Sequence, residues 1–461
     1  MTVAEVRDST TSRRTVHVTS PKRERMASPR GSDHPLPDNA QARQRRAIAI
    51  LMIVFAFADI APSLLTLLSA GRNYHVSGAR LGTGTLSQTS ASSALQTASW
   101  VVFIVICAAL AFRESEVLAG KLHVGDTRGF LILFGFLATA ELAARVGGGQ
   151  TSTVRSLLIF MIAALALFLN QVSFDSLAIV GRMIAYLAVG TAAFALMSSA
   201  AWTVPAAGDS KAVFGTNLLA GPFSQGNSLG IVMAGGLPFV GAAYRGRKRA
   251  FLVVLIALLV VLSGSRTSML AVAVIALVAM SRAVLEPTLS RAVAFLAGIS
   301  TLVATVVVPA MTKTATSFTG RGGIWQVSEQ FWPSFKWFGL GPYAYSDPRF
   351  YGASGQVLLH GHNTYVTTRT EIGLVGCMAL AVLLISLLFK AASVYGSDPV
   401  PMYFMLGILA LGLLETPLRL DTVNDQGWVV WGGLIILACA PKASLRGPTG
   451  HRAPGATAVV S

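Results

Sequence analysis

The stretch RGRKRAFLVVLIALLVVLSGSRTSMLAVAVIALVAMSR, residues 245–282, decides the fold class. It opens on Arg245, Arg247, Lys248 and Arg249, runs through apolar residues over 250–280, and closes on Arg282. Ser263-Gly264-Ser265-Arg266-Thr267-Ser268 interrupts its centre. A helix rises about 1.5 Å per residue and a bilayer core is about 30 Å thick, so the run is too long for one untilted crossing and short for two full ones. Basic residues at both ends and a polar centre read as two helices that start and finish on one side of a membrane and meet on the other, with Arg266 at the turn.

The rest of the chain repeats this pattern. Of 461 residues, 53% are hydrophobic and 12% charged, against about 25% charged in soluble domains. Mean hydropathy is +0.62. Backbone polar groups cannot face lipid unpaired, so each long apolar run should be a helix and the chain an all-α polytopic membrane protein. The net charge of +16 sits in the N-terminal region and in short loops between apolar runs. That distribution orients helices in a bilayer and is not the basic stripe of a nucleic-acid binder. Cys107, Cys377 and Cys439 are far apart in apolar segments and read as small core residues. No phosphate-cradling glycine motif accompanies a strand or a Lys-Ser/Thr pair, and Gly147-Gly148-Gly149 reads as a loop breaker.

Residues 1–46 are rich in Ser, Thr, Pro and Arg without an apolar core, which predicts a disordered basic cytoplasmic tail. Arg43, Arg45 and Arg46 then set the first crossing from the inside outward. Expected crossings at 47–68, 98–112, 129–145, 156–171, 177–201, 222–244, two within 250–280, and one at 292–310 make nine helices over 47–310. Residues 311–370 form a large extracytoplasmic loop, 371–440 hold helices 10 to 12, and 441–461 form a second cytoplasmic tail. The sum is about 12 transmembrane helices with both termini cytoplasmic.

Polar residues at the expected outer face are the candidates for chemistry. Arg266 costs about 2.5–3.5 kcal/mol at a helix centre, so it needs a reason. A guanidinium beside a helix N-terminus suits a phosphate, and an interfacial arginine reaching lipid headgroups is the plain alternative. Arg321 lies between glycines in Thr319-Gly320-Arg321-Gly322-Gly323, where backbone can approach a ligand. Trp325 could stack on a sugar or sit at the membrane interface. His360-Gly361-His362-Asn363 offers an imidazole able to take a hydroxyl proton near neutral pH. A His-x-His metal pair is the alternative, but Glu329 and Asp347 show no ligand spacing. Asn227 could line a cavity, and Asp59, Glu141 and Arg182 are charges within apolar helices that no motif explains.

Taken together, Ser263-Gly264-Ser265-Arg266, Thr319-Gly320-Arg321-Gly322-Gly323-Ile324-Trp325, Gly339-Leu340-Gly341 and His360-Gly361-His362-Asn363-Thr364-Tyr365 through Glu371-Ile372-Gly373-Leu374-Val375-Gly376 resemble the O-antigen ligase and polysaccharide polymerase family. Pro222-Phe223 to Asn227-Ser228-Leu229-Gly230 looks like an upstream motif of that family. The resemblance implies a GT-C-type membrane glycosyltransferase of the bacterial cytoplasmic membrane, without metal or other cofactor. It would act outside the cytoplasm on a glycan carried by undecaprenyl pyrophosphate, alongside other polysaccharide-export components. By the same resemblance Arg266 and Arg321 hold the donor pyrophosphate, and His362 is the base on an acceptor hydroxyl, with inversion at the anomeric carbon. Trp325, His360, Asn363 and Asn227 would line the substrate site. The glycine-rich Arg321 motif favours an exopolysaccharide polymerase over a ligase that hands the glycan to a lipid, protein or other surface acceptor. A transporter or lipid-glycan flippase, the reading from another class, should carry its charges along a midplane path.

Overall fold

The computed structural model describes residues 38–72, 88–113, 125–147, 154–204, 217–347, 360–422 and 426–441, with short pieces at 76–77, 80–81, 86 and 350. Residues 1–37 and 442–461, which hold most of both expected tails, lie outside the described residues. Contacts divide the chain into units 1–42 and 43–461, and the packing and sites described below belong to the second.

Among the described residues the α-helices are α1 (Asp38–Ala70), α2 (Ser90–Arg113), α3 (Thr127–Val146), α4 (Arg155–Leu169), α5 (Leu177–Met197), α6 (Gly226–Ala243), α7 (Gly246–Leu262), α8 (Arg266–Val284), α9 (Pro287–Met311), α10 (Arg321–Phe331), α11 (Thr364–Val394), α12 (Val400–Gly412) and α13 (Gly427–Cys439). Eight of these are long and apolar enough to cross a membrane, and α4, α12 and α13 are shorter apolar helices. Two short antiparallel pairs, 76–77 with 80–81 and 202–203 with 218–219, are the strands among the described residues. The chain is therefore an all-α, membrane-embedded protein.

Burial separates a centre from a rim. Every residue of α12 and α13 is buried, and the apolar window of α6 is 72% buried against 17% for α9. A helix that is apolar all round and buried all round belongs inside a bundle, whereas the exposed apolar Leu296 and Val303 place α9 at its outside. Small residues let the inner helices approach: a Cβ on Gly181 of α5 would strike the Phe239 carbonyl of α6, and one on Gly129 of α3 the Ala438 carbonyl of α13.

Several boundaries differ from the sequence reading. Helix α1 begins at Asp38, inside the expected tail, and α2 begins at Ser90, where the Thr89 hydroxyl accepts from the Ser92 amide at 3.2 Å. Hydropathy marks where lipid begins, and these helices continue past it. The segment 311–370, expected as a large loop, also holds helical residues. It contains α10, and α11 starts at Thr364, capped by Asn363, whose carboxamide oxygen accepts from Val366 at 2.9 Å.

Helix α11 is broken at Gly373 (φ 66°, ψ −164°), and the break explains two glycine motifs at once. The freed carbonyls of Thr370 and Glu371 accept from the amides of Leu340 (2.9 Å) and Gly341 (2.8 Å). The freed amides of Leu374 and Val375 donate to the carbonyls of Lys336 (2.9 Å) and Trp337 (3.2 Å). Gly339 (φ 69°) and Gly341 (φ 84°) hold the left-handed turns that bring the loop this close. A gap in a helix survives in a bundle only when other backbone fills it, and here residues 336–341 do so.

Candidate active site

The site is assembled at the end of the bundle where α7 turns into α8. The chain breaks there at Ser263-Gly264-Ser265, with Gly264 at φ 66°. The first turns of α6 sit against that break: a Cβ on Gly226 would strike the Ser263 carbonyl, and one on Gly230 the Ser265 and Ser268 side chains. Asn227 is thereby fixed, and its carboxamide donates to Glu415 Oε1 at 3.1 Å.

The histidine turn is held from three sides. Asn363, fully buried, donates to the carbonyls of Thr305 (3.0 Å) and Leu413 (2.8 Å) while capping α11. The Trp325 indole donates to the Gly361 carbonyl at 2.9 Å, and the Gly361 amide donates to Thr367 Oγ1 at 3.0 Å. His362 is left at φ 49°, a left-handed conformation uncommon for a side-chain-bearing residue. Its amide donates to His360 Nδ1 at 3.1 Å, and its ring aims Nδ1 at Glu415 Oε2, also at 3.1 Å.

Glu415 is the hub. Its side chain is 4% exposed and accepts from Arg321, Asn227 and His362. A buried carboxylate is costly unless paired and hydrogen-bonded, and Arg321 supplies the opposite charge at the N-terminus of α10. Because an ionised carboxylate only accepts, His362 carries its proton on Nδ1, which leaves Nε2 as the basic nitrogen. The His362 side chain is 29% exposed, so the ring is partly accessible. Burial first, then the neighbouring His362, Arg419 and Arg321, hold the His360 imidazole well below its ordinary pKa, so it is neutral at neutral pH. Arg321 Nε is buried and has no acceptor among the described residues.

Arg321, His362 and Asn227 are thus brought together, and Arg266 is at the same end but exposed on the first turn of α8. Trp325, expected to stack on a sugar or sit at the membrane interface, is 3% exposed, and its N–H donates to the Gly361 carbonyl in the histidine turn. Asn363 likewise caps and ties helices, with its carboxamide fully used, and His360 is a buried acceptor behind His362. Glu415 was missed in the sequence because it reads as the polar end of an apolar run. Its signal was being an acid at the expected outer end of a crossing.

Two of the unexplained acids accept from backbone amides. Asp59 accepts from the Trp428 amide at 3.0 Å in the first turn of α13, and Glu141 pairs with Arg145 and accepts from the Val154 amide at 3.1 Å before α4. His360, His362 and Glu415 each offer a ligand atom within 4.8 Å of the others, a spacing a cation could bridge. In the arrangement described, however, His360 Nδ1 accepts from the His362 amide and Glu415 is shared by three donors, so a cation would have to displace them.

An O-antigen ligase family model matches residues 251–381, under a third of the chain. The matched span holds Arg266, Arg321, Trp325, His360, His362 and Asn363, whereas Asn227 and Glu415 flank it. Over this segment the chain is similar to the O-antigen ligase family, which supports a ligase/polymerase-type function in glycan transfer. No curated protein matches the chain.

Proposed function

We propose that the protein is a membrane glycosyltransferase that moves a glycan from undecaprenyl pyrophosphate to an acceptor hydroxyl, with His362 as the base. The observation that carries this reading is the Glu415 hub, which engages Nδ1 of a partly exposed imidazole and leaves Nε2 for the acceptor. His362 Nε2 takes the acceptor proton as the acceptor oxygen attacks the anomeric carbon. The bond from that carbon to the phosphate oxygen breaks with inversion, and the electron pair leaves with the lipid pyrophosphate. Arg266, exposed at the helix N-terminus, and Arg321, through its unmatched Nε, stabilise the leaving charge. Glu415 neutralises Arg321 until the donor arrives and stabilises the imidazolium during proton transfer. The leaving group carries the activation, so the reading needs no metal.

In this reading all twelve apolar helices, α7 included, cross the cytoplasmic membrane in a GT-C-type arrangement. The basic turns face the cytoplasm and the Glu415 end faces outward. The acceptor is a second lipid-linked repeat, making the protein an exopolysaccharide polymerase. A ligase differs only in its acceptor. Reconstitution of the purified chain with a lipid-linked repeat, with and without a second acceptor, tests this. A ladder of products from the repeat alone is expected. A single transfer that requires the second acceptor would make the protein a ligase, and full turnover by His362→Ala would overturn the site.

A further inference from the structure

The opposite end of the bundle carries a second, differently built feature. A groove of about 1280 Å³ opens among α1, α5, α6 and the turn before α12, larger than the 300–1,000 Å³ of ordinary small-molecule sites. Its rim holds five arginines, Arg45, Arg46, Arg182, Arg245 and Arg249, against two aspartates, Asp175 and Asp398. Arg45 pairs with Asp175 at 3.3 Å, and Asp398 Oδ1 accepts from the Val400 amide at 3.0 Å, so both acids are engaged. Among the described residues Arg46, Arg182 and Arg245 make no hydrogen bond or ion pair. Like charges gathered from two helices and a turn repel one another unless an anion lies between them. Below the rim the wall is apolar, and Ile53, Phe57 and Tyr186, more than half exposed, open it sideways.

We propose that this groove binds one anionic phospholipid, its headgroup phosphate among Arg46, Arg182 and Arg245 and an acyl chain along the apolar wall. A free phosphate would satisfy the rim but not the wall, and a zwitterionic lipid would bring its own cation to a basic rim. The lateral opening is where a bilayer lipid would enter. This assignment also gives Arg182, an arginine more than a turn inside an apolar helix, a reason to be there. It rests on the membrane setting, and not on which glycan is transferred.

The test is native mass spectrometry of the full chain after incubation with phosphatidylglycerol or phosphatidylcholine of equal acyl length. The wild type should retain one phosphatidylglycerol at least tenfold over phosphatidylcholine. R46Q/R182Q/R245Q should lose that preference, while R247Q/K248Q, which removes two charges from the same turn without touching the groove, should keep it. Ala61→Trp, filling the wall at constant charge, should lower retention of both lipids and guards against a misfolded triple variant. Equal retention of the two lipids by the wild type would overturn the proposal, as would a triple variant that binds like the wild type. Displacement of the lipid by equimolar inorganic phosphate would overturn it in favour of a phosphate site alone.

Discussion

The two ends of the bundle handle charge in opposite ways. At the His362 end one buried carboxylate is shared by an arginine, an amide and an imidazole, so the charges of Glu415 and Arg321 are spent on one another. At the Arg182 end three guanidiniums line a wide groove without protein partners among the described residues. A saturated, buried hub fixes geometry, which proton transfer requires. An open basic rim holds charge in reserve, which suits an anion that comes and goes. The same residue type therefore serves as a strut at one end and a receptor at the other.

The sharpest way to break this contrast is at the hub. His362→Ala should lower glycan transfer about 10³-fold, in the range of a lost general base, with membrane insertion unchanged, measured as product formed per inserted chain. Glu415→Gln keeps the shape but removes the charge, and should cost about 10²-fold while leaving Arg321 buried and unpaired. If turnover by Glu415→Gln were normal, the hub would be a structural knot only. Gly373→Ala should destabilise the fold by about 3 kcal/mol, because φ 66° is strained for alanine and its Cβ would meet the Trp337 carbonyl. A thermal unfolding series would read that loss.

Acid gives a milder probe. His360 has a folded pKa held well below 6.5, so the unfolded chain binds the extra proton first. The stability from keeping it neutral is fully present above about pH 6.5 and is lost as pH falls from there toward the depressed value. His360→Gln should flatten this dependence. The smallest effect belongs to chelation: excess EDTA should leave transfer within about twofold, since three protein donors already engage Glu415 and the proposed mechanism uses no cation. A large loss would assign His360, His362 and Glu415 to a metal instead.

Much of this was legible in the sequence, and unevenly so. The break at Ser263-Gly264-Ser265 could be read because a polar interruption in an apolar run is a local signal. So could the concentration of Arg321 and His362 in one polar segment. The filled break at Gly373 could not, since Gly339 and Gly373 are each unremarkable until the loop and helix are seen to exchange backbone hydrogen bonds. Trp325 and Asn363 were legible as special but not as buried supports, because aromatic and amide side chains serve ligands and scaffolds with the same groups.

What the sequence by itself determined is the solvent: apolar content and the placement of basic residues commit the chain to helices in a bilayer, and both properties add up residue by residue. What only the tertiary structure decided is pairing. Glu415 meets His362, Arg321 and Asn227 across separations of 53, 94 and 188 residues. Arg46 of α1, Arg182 of α5 and Arg245 of the turn before α7 reach one groove. Hydrophobic burial is nondirectional and can be read from composition, whereas a hydrogen bond depends on distances of a few tenths of an ångström that only the packed helices set.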